Sequence, residues 1–195
     1  MTGVVLCGGQ STRMGTDKGL LVHQSITWAQ RAADKLAQLN LPVVLSINEQ
    51  QQIAYASSFD TALLITDNKD LLIGGPLRGI VSVHLQYATE DLFVLACDMI
   101  DMNKKVLENL YNHYKQNSAE AFVFTYEQTP EPLCAIYTAK GLSKIYKLYQ
   151  QQQLKKHSMM YVLKYLITSY LLVATELKKY FTNYNSPSDF NEGME

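Results

Sequence analysis

The sequence lacks a strong excess of either charge, a long apolar run and a cysteine framework. Its 195 residues carry 17 Lys and Arg against 18 Asp and Glu, a formal net charge of −1. This balance argues against broad nucleic-acid binding, which needs a basic face. No apolar run reaches the length of a membrane span, and no signal-like segment opens the sequence. We therefore expect a protein without membrane or nucleic-acid partners.

Cysteine is scarce, with three residues that share no metal-like spacing. Cys7, Cys97 and Cys134 each lie within an apolar run. Such residues are typical of small buried side chains in a reducing compartment. A cytoplasmic location is the resulting expectation.

Two familiar phosphate-binding loops are also missing. Neither Gly8 nor Gly9 has a Gly-Lys pair at the Walker spacing, and Gly15 does not complete the dinucleotide pattern Gly-x-Gly-x-x-Gly. What is present is a short apolar strand that runs into Gly8-Gly9 and then a loop with Arg13 and Lys18. Glycine N–H groups can approach phosphate closely, and guanidinium and ammonium groups match its charge. The sequence therefore predicts a nucleoside triphosphate site here.

Apolar, β-rich runs alternate with helix-like stretches. The pattern predicts strands at Thr2–Cys7, Pro42–Ile47, Ala62–Thr66, Leu92–Cys97, Ala119–Tyr126, Leu133–Tyr137 and near Tyr170–Ala174. It predicts helices at Ser25–Leu39, Glu49–Ser57, Leu77–Tyr87, Asn103–Lys115 and near Lys140–Gln152 and Ser158–Leu166. This alternation indicates an α/β fold, a three-layer α/β/α sandwich with a Rossmann-like, mostly parallel sheet. Residues 1–195 contain no evident linker and are predicted to form one domain.

Polar residues follow three of the predicted strands directly. Asn48, Asp67 and Asp98 occupy these positions, and the glycine loop follows the first strand. Ligands of open α/β sheets bind beyond the carboxyl ends of the strands. Each aspartate alone could be a helix N-cap, but the joint pattern favours a site at this edge.

Three motifs resemble one enzyme family. Residues 6–18 read Leu-Cys-Gly-Gly-Gln-Ser-Thr-Arg-Met-Gly-Thr-Asp-Lys, which resembles the opening motif of the molybdenum cofactor guanylyltransferases, or MobA-like proteins. Residues 75–79 resemble the family's Gly-Pro-Leu-x-Gly element, and residues 183–189 resemble its C-terminal motif. Cys7 stands where the family usually has alanine, and the first loop is one residue shorter than in some members. The resemblance implies the nucleotide-diphospho-sugar transferase type of fold.

The resemblance also implies a reaction, in which GMP passes from GTP to the phosphate of molybdenum-molybdopterin and pyrophosphate is released. Mg²⁺ would be the cofactor and would be held by Asp98. The resemblance also implies transient contacts with molybdenum-cofactor enzymes or their chaperones. Arg13, Lys18 and Asp98 are the predicted catalytic residues, while Asn48 and Asp67 would lie near the base and ribose. The other predicted nucleotide-binding residues are Leu6, Cys7, Gly8, Gly9, Gly75, Pro76, Leu77, Asn183 and Asn185.

Two alternatives stay open at this point. The protein could be a related nucleotidyltransferase that uses another nucleoside triphosphate or phosphorylated acceptor, or a nucleotide-binding homologue without turnover. The four histidines carry little weight, since none lies in a motif with a nucleophile. His157, which follows Lys155-Lys156, is the one that the family pattern brings nearest to the acceptor.

Overall fold

A computed structural model describes residues 1–8, 17–182 and 184 of the chain. Nine strands lie in this part: β1 (Thr2–Leu6), β2 (Val22–His23), β3 (Ile26–Thr27), β4 (Val43–Ile47), β5 (Leu64–Thr66), β6 (Leu92–Ala96), β7 (Ala121–Tyr126), β8 (Thr129–Tyr137) and β9 (Thr168–Leu172). Seven of them form one sheet in the order β5-β4-β1-β6-β8-β7-β9. β2 and β3 form a separate small hairpin.

The sheet is mostly parallel, as predicted. β1 pairs in parallel with β4 and with β6, and β4 continues in parallel to β5. The exception is β8, which is antiparallel to both β6 and β7. β8 follows β7 through a two-residue turn in which Glu127 and Gln128 have φ values of 46° and 67°. Turns with two positive φ values match the twist of paired strands, so β7 and β8 form a hairpin that sequence pattern had not resolved.

Six helices cover the two faces of the sheet: α1 (Trp28–Ala37), α2 (Gln52–Ala56), α3 (Pro76–Gln86), α4 (Lys104–Gln116), α5 (Ala139–Gln150) and α6 (Met159–Val162), counted over the described residues. α3, α5 and α6 contribute to one hydrophobic cluster, and α1, α2 and α4 contribute to the other. The strands feed both clusters alternately. In β1, for example, Val4 and Leu6 face the first cluster and Val5 faces the second. The three-layer α/β/α architecture is therefore confirmed.

The start of α1 differs from the predicted one. Ser25 was expected to open the helix, but it lies with Gln24 in the β2–β3 turn, where both have positive φ. The helix begins at Trp28 because the Thr27 hydroxyl caps it by accepting a hydrogen bond from Gln30 N at 3.2 Å. The predicted helix at 158–166 is also shorter, since α6 ends at Val162 and a 3₁₀ turn follows at Leu163–Tyr165.

Two predictions from composition can be compared with the fold. Cys7, Cys97 and Cys134 are all free and buried, as expected for structural thiols. Over the residues that the structure describes, no helix combines the length and apolar character that a membrane crossing requires.

A buried carboxylate joins the far edge of the sheet to α5. Glu120, only 5% exposed, accepts hydrogen bonds from Ile167 N and Lys144 Nζ, both at 2.9 Å. Burial alone would raise the pKa of Glu120, but the bonds from Ile167 and Lys144 outweigh it and hold the pKa below its usual value. The ionised carboxylate therefore stabilises the contact between the start of β9 and α5.

We expect Glu120→Gln to lower the free energy of unfolding by about 1–3 kcal/mol at pH 7, the usual range for a buried bond to a charged group. Because the folded pKa is depressed, this stabilisation is present above the unfolded pKa and is lost as pH falls through the folded value. Urea denaturation at pH 7 and pH 4 measures it. Glu108→Gln, at the exposed Lys104–Glu108 pair, is the control and should change little. An equal loss at both pH values would contradict the assignment.

Candidate functional site

The carboxyl ends of four parallel strands meet at one edge of the sheet. β5, β4, β1 and β6 are consecutive neighbours, and they lead into Asp67, Asn48, Gly8 and Asp98 respectively. With strands about 4.8 Å apart, these positions span about 14 Å across the edge. The parallel pairing therefore brings together the polar residues that the sequence had placed after separate strands.

Lys18 and Asp98 meet directly at the β6 end of this edge. Lys18 Nζ lies 3.0 Å from Asp98 Oδ2, and the two side chains are 18% and 20% exposed. Lys18 opens a 3₁₀ turn (Lys18–Leu20) that follows the first loop, whereas Asp98 follows β6. Residues 80 positions apart thus meet at one edge of the sheet. A partly buried ammonium group can bind an anionic ligand, and the neighbouring carboxylate can bind the cation that accompanies this ligand.

The turn that carries Asp98 is held from two sides. Lys35, on α1, donates hydrogen bonds to the carbonyl oxygens of Met99, at 3.4 Å, and of Ile100. Burial, reinforced by the nearby Arg31 charge, lowers the pKa of Lys35 to about 8. From the other side, Tyr184 N donates to the Asp98 carbonyl oxygen at 3.3 Å.

Tyr184 also fixes the next acidic residue. Its hydroxyl donates to the Asp101 carboxylate, and its ring meets Trp28 edge to face at 6.3 Å. The bond to Asp101, with burial second, raises the pKa of Tyr184 to about 12, so the hydroxyl remains a donor at neutral pH. Asp101, a second carboxylate near Asp98, is therefore engaged by a tyrosine.

A cleft of about 760 Å³ opens on the β4 and β5 side of the Lys18–Asp98 pair. It contains six of the predicted nucleotide-binding residues together with others, and its lining comprises Leu6, Gly8, Ser46, Asn48, Glu49, Gln50, Asp67, Lys69, Ile73, Gly74, Gly75, Pro76, Arg78 and Gly79. The volume suits a small-molecule ligand. The lining includes peptide groups and the charged side chains of Asp67, Lys69 and Arg78, which can bind the polar groups of a ligand.

Two glycines shape the wall of this cleft where α3 begins. Gly75 has φ of 67°, in the left-handed region, and precedes Pro76 at the first position of α3. A Cβ at Gly79 would lie 2.4 Å from Ser46 Oγ, so only glycine lets α3 approach β4 this closely. The amino end of α3 therefore faces the cleft and favours negative charge there.

Gln51 connects three segments of the site, and it is not among the residues predicted from the sequence. Gln51 Nε2 donates to the Cys7 carbonyl oxygen at 2.9 Å and to the Asp17 carboxylate, while its Oε1 accepts from Asn48 N at 2.8 Å. Tyr55 adds a 3.0 Å bond from its hydroxyl to Asp17. These contacts link the end of β1, the residue before Lys18 and the end of β4. The only sequence signal was the Asn-x-x-Gln spacing of a capping box, which Asn48 and Gln51 form.

The remaining predicted residues have varied positions. The side chains of Leu77 and Cys7 are buried in the two hydrophobic clusters, so any contact of these residues with a ligand would use their peptide groups. Gly9, Arg13, Asn183 and Asn185 lie outside the described residues. Their roles stay predictions.

The chain matches a known protein family over most of its length. The model of the MobA-like NTP transferase domain matches residues 3–164. The chain belongs to the MobA-like NTP transferase family. This confirms the family resemblance and identifies the protein as a nucleotidyltransferase, although the motif at residues 183–189 lies outside the matched range.

Individual members agree with this assignment. The Flavobacterium johnsoniae protein named "Probable molybdenum cofactor guanylyltransferase" is 28% identical over 193 residues, which cover 98% of this chain and 95% of the relative. The Campylobacter jejuni molybdenum cofactor guanylyltransferase is 28% identical over 137 residues, 69% of this chain and 66% of the relative. The crystal structure of molybdopterin-guanine dinucleotide biosynthesis protein A from Archaeoglobus fulgidus has a TM-score of 0.79 and 23% identity, covering 98% of this chain and 96% of that one. At that identity the structural likeness concerns the fold.

Within this MobA-like domain, the described residues contain no cluster of three or more His, Cys, Asp or Glu side chains that could enclose a metal ion. A carboxylate such as Asp98 can still hold Mg²⁺ when ligand phosphates and waters complete the coordination. The donor set therefore fits a magnesium ion that arrives with a nucleotide rather than one held by protein ligands alone.

The pKa of Asp67 is raised, and this shift affects the stability of the fold. Burial at the floor of the cleft raises the pKa of Asp67, and the Arg78 guanidinium partly opposes this effect. Because the folded pKa lies above the unfolded one, the stabilising contribution is present at low pH and is lost as pH rises through the folded value.

We therefore expect Asp67→Asn to raise the free energy of unfolding of the ligand-free protein at pH 7.5, on the order of 0.5 kcal/mol, as happens when a strained functional residue is removed. The gain should be smaller at pH 4, since protonation of Asp67 removes part of the cost of burying its charge. Urea titrations at the two pH values measure it. Asp70→Asn, at an exposed position of the following loop, is the control. A loss of stability at pH 7.5 would contradict the expectation.

Proposed function

We propose that this protein transfers GMP from GTP to the terminal phosphate of molybdopterin that carries molybdenum, with release of pyrophosphate. The observation that carries the proposal is the 3.0 Å contact between Lys18 and Asp98 beside a polar cleft at the carboxyl edge of the sheet. The names of the relatives from F. johnsoniae and C. jejuni support guanine and the molybdenum cofactor as the substrates.

The nucleotide would lie along the edge of the sheet. In this arrangement the base and ribose occupy the cleft near Asn48, Asp67 and Gly75, and the triphosphate extends towards Lys18. Arg13 would add a second cation from the first loop. Lys18 supports this direction, because it lies beside Asp98 at the β6 side of the cleft, while Asn48 and Asp67 of the lining offer hydrogen-bonding side chains.

The chemistry needs little acid–base help. The acceptor is a phosphate monoester with a second pKa of about 6, so its oxygen is largely ionised at neutral pH. This oxygen forms a bond to the α-phosphorus of GTP as the bond from that phosphorus to the bridging oxygen breaks, and pyrophosphate leaves with the electron pair. Lys18 and Arg13 would bind the departing pyrophosphate. Catalysis then consists of alignment and charge stabilisation.

Asp98 is the residue that would hold Mg²⁺. When bound, the ion supplies positive charge that offsets the repulsion between the two anionic reactants. Lys18 would then exchange part of its contact with Asp98 for the phosphate oxygens.

A second cleft supports an acceptor site on the opposite side of Asp98. This cleft, of about 680 Å³, lies between the β7–β8 turn and the segment at 173–182. Its lining includes Phe124, Tyr126 and Phe181, and Lys178 Nζ lies 4.5 Å from the centre of the Tyr126 ring. Aromatic rings beside ammonium groups suit a planar, anionic acceptor such as a pterin phosphate. The molybdenum would travel with this substrate as cargo.

Transient contacts with molybdenum-cofactor enzymes or their chaperones, and a cytoplasmic location, complete the proposal. The enzyme would meet its acceptor and deliver its product there.

We expect Lys18→Ala and Asp98→Asn each to lower the rate of GMP transfer by about 10²–10³-fold, since each removes one pre-placed charge from the reacting phosphates. Pyrophosphate release in the presence of GTP, Mg²⁺ and acceptor is the measurement. Lys104→Ala, on the exposed face of α4, is the matched lysine control and should retain the full rate. Near-normal turnover by either site variant with an intact fold would refute the role assignment.

Nucleotide choice has its own test. GTP with Mg²⁺, at about 100 times its Kd, should stabilise the folded protein by about 2.7 kcal/mol and raise Tm by about 5–10 °C. ATP and CTP should shift Tm much less. A larger shift with CTP would favour a cytidylyltransferase instead, and a shift with GTP but no pyrophosphate release would favour a non-catalytic homologue.

A further inference from the structure

Three consecutive residues at the rim of the nucleotide cleft are held through their peptide groups. Leu72 N donates to the Tyr149 hydroxyl at 2.9 Å, and Gly74 N donates to His157 Nδ1 at 3.2 Å. Between them, the Ile73 carbonyl oxygen accepts from Arg78 Nε at 2.8 Å. Each of the three residues therefore has one backbone atom that is hydrogen-bonded to a side chain outside the run.

Two of these partners come from a distant part of the sequence. Tyr149 lies near the end of α5, and His157 lies in the connection from α5 to α6. Their rings meet edge to face with centres 6.3 Å apart, so the two side chains support each other. The rim is thus fixed by the helical layer that packs on α3, and not by local turn geometry.

Residues 72–74 need these hydrogen bonds because, apart from Ile73, their own side chains make little packing contact with the rest of the protein. Ile73 is buried at 1% exposure and anchors the middle, but Leu72 is 80% exposed. Gly74 and Gly75 have no side chain, and a Cβ built at either would meet nothing within 4 Å. Adjacent glycines leave the backbone with wide conformational freedom. Without the outside bonds, the Gly74 peptide plane would be free to rotate at the cleft wall.

We propose that Tyr149 and His157 are positioning residues for nucleotide binding: they orient the peptide groups of residues 72–74 so that the Gly74-Gly75 backbone presents fixed hydrogen-bonding groups to the base. The proposal rests on the proposed function, in which this cleft receives the base. His157 acts as an acceptor at Nδ1, so its proton resides on Nε2. This role explains why a histidine without any catalytic partner lies so close to the cleft.

The test compares the base end of the ligand with its phosphate end. Tyr149→Phe and His157→Leu remove one acceptor each with little change in size. We expect each to raise the Kd for Mg-GTP about three- to tenfold in calorimetric titrations, the usual net effect of one hydrogen bond. The Kd for Mg-pyrophosphate should stay unchanged, because pyrophosphate reaches only Lys18 and its neighbours. At saturating GTP the kcat should also stay unchanged.

Two further variants sharpen the result. His157→Asn places an amide oxygen near the position of Nδ1 and should restore most of the affinity for GTP. Tyr146→Phe is the control, since Tyr146 stacks on Tyr149 from the same helix and should not affect the Kd.

The failure of this inference differs from the failure of the proposed function. If the wild-type protein binds no nucleoside triphosphate, the proposed function fails and this inference with it. If it binds GTP but the Tyr149→Phe, His157→Leu double variant binds it equally well, the positioning role alone is refuted. An equal loss of pyrophosphate affinity in that variant would also refute it, because the effect would then be general.

Discussion

The parallel pairing of β1 with both β4 and β6 is the constraint on which this molecule depends. A parallel ladder places the carboxyl ends of neighbouring strands at one edge, so chemistry encoded far apart in sequence converges there. In antiparallel pairing, Asn48 and Asp98 would emerge at the opposite edge from the first loop. The reversal of β8 lies beyond β6 and thus leaves this part of the edge intact.

The two opposite charges at the edge of the sheet bind each other and can each bind a ligand group instead. Lys18 and Asp98 neutralise each other at 3.0 Å, with most of each side chain shielded from water. A substrate that brings phosphate and a divalent cation supplies a counter-ion to each. The attraction between the two opposite charges therefore offsets part of the cost of shielding each from water, until a ligand separates their roles.

Much of the fold could be predicted from the sequence, because apolar runs mark the strands and polar residues mark the points where the strands end. The strands at β1, β4 and β6 and the polar residues after them were all predicted. The β7–β8 hairpin was missed, since its turn of Glu127 and Gln128 lacks the glycine or asparagine that marks such turns. The Asn-x-x-Gln spacing indicates only the capping box of Gln51, and its bonds to Cys7 and Asp17 depend on tertiary contacts. The bonds of Tyr149 and His157 also depend on tertiary contacts and have no local spacing that would reveal them.

The tether at Tyr184 has a consequence for how the enzyme is made. The peptide that bears Asp98 is gripped by a residue synthesised long after β6, through the Asp98 carbonyl oxygen and the Asp101 carboxylate. The central sheet can form while this grip is still absent. A nascent or truncated chain would therefore acquire its scaffold before the turn that carries Asp98 is fixed, so the local structure of this turn would be among the last parts of the fold to form.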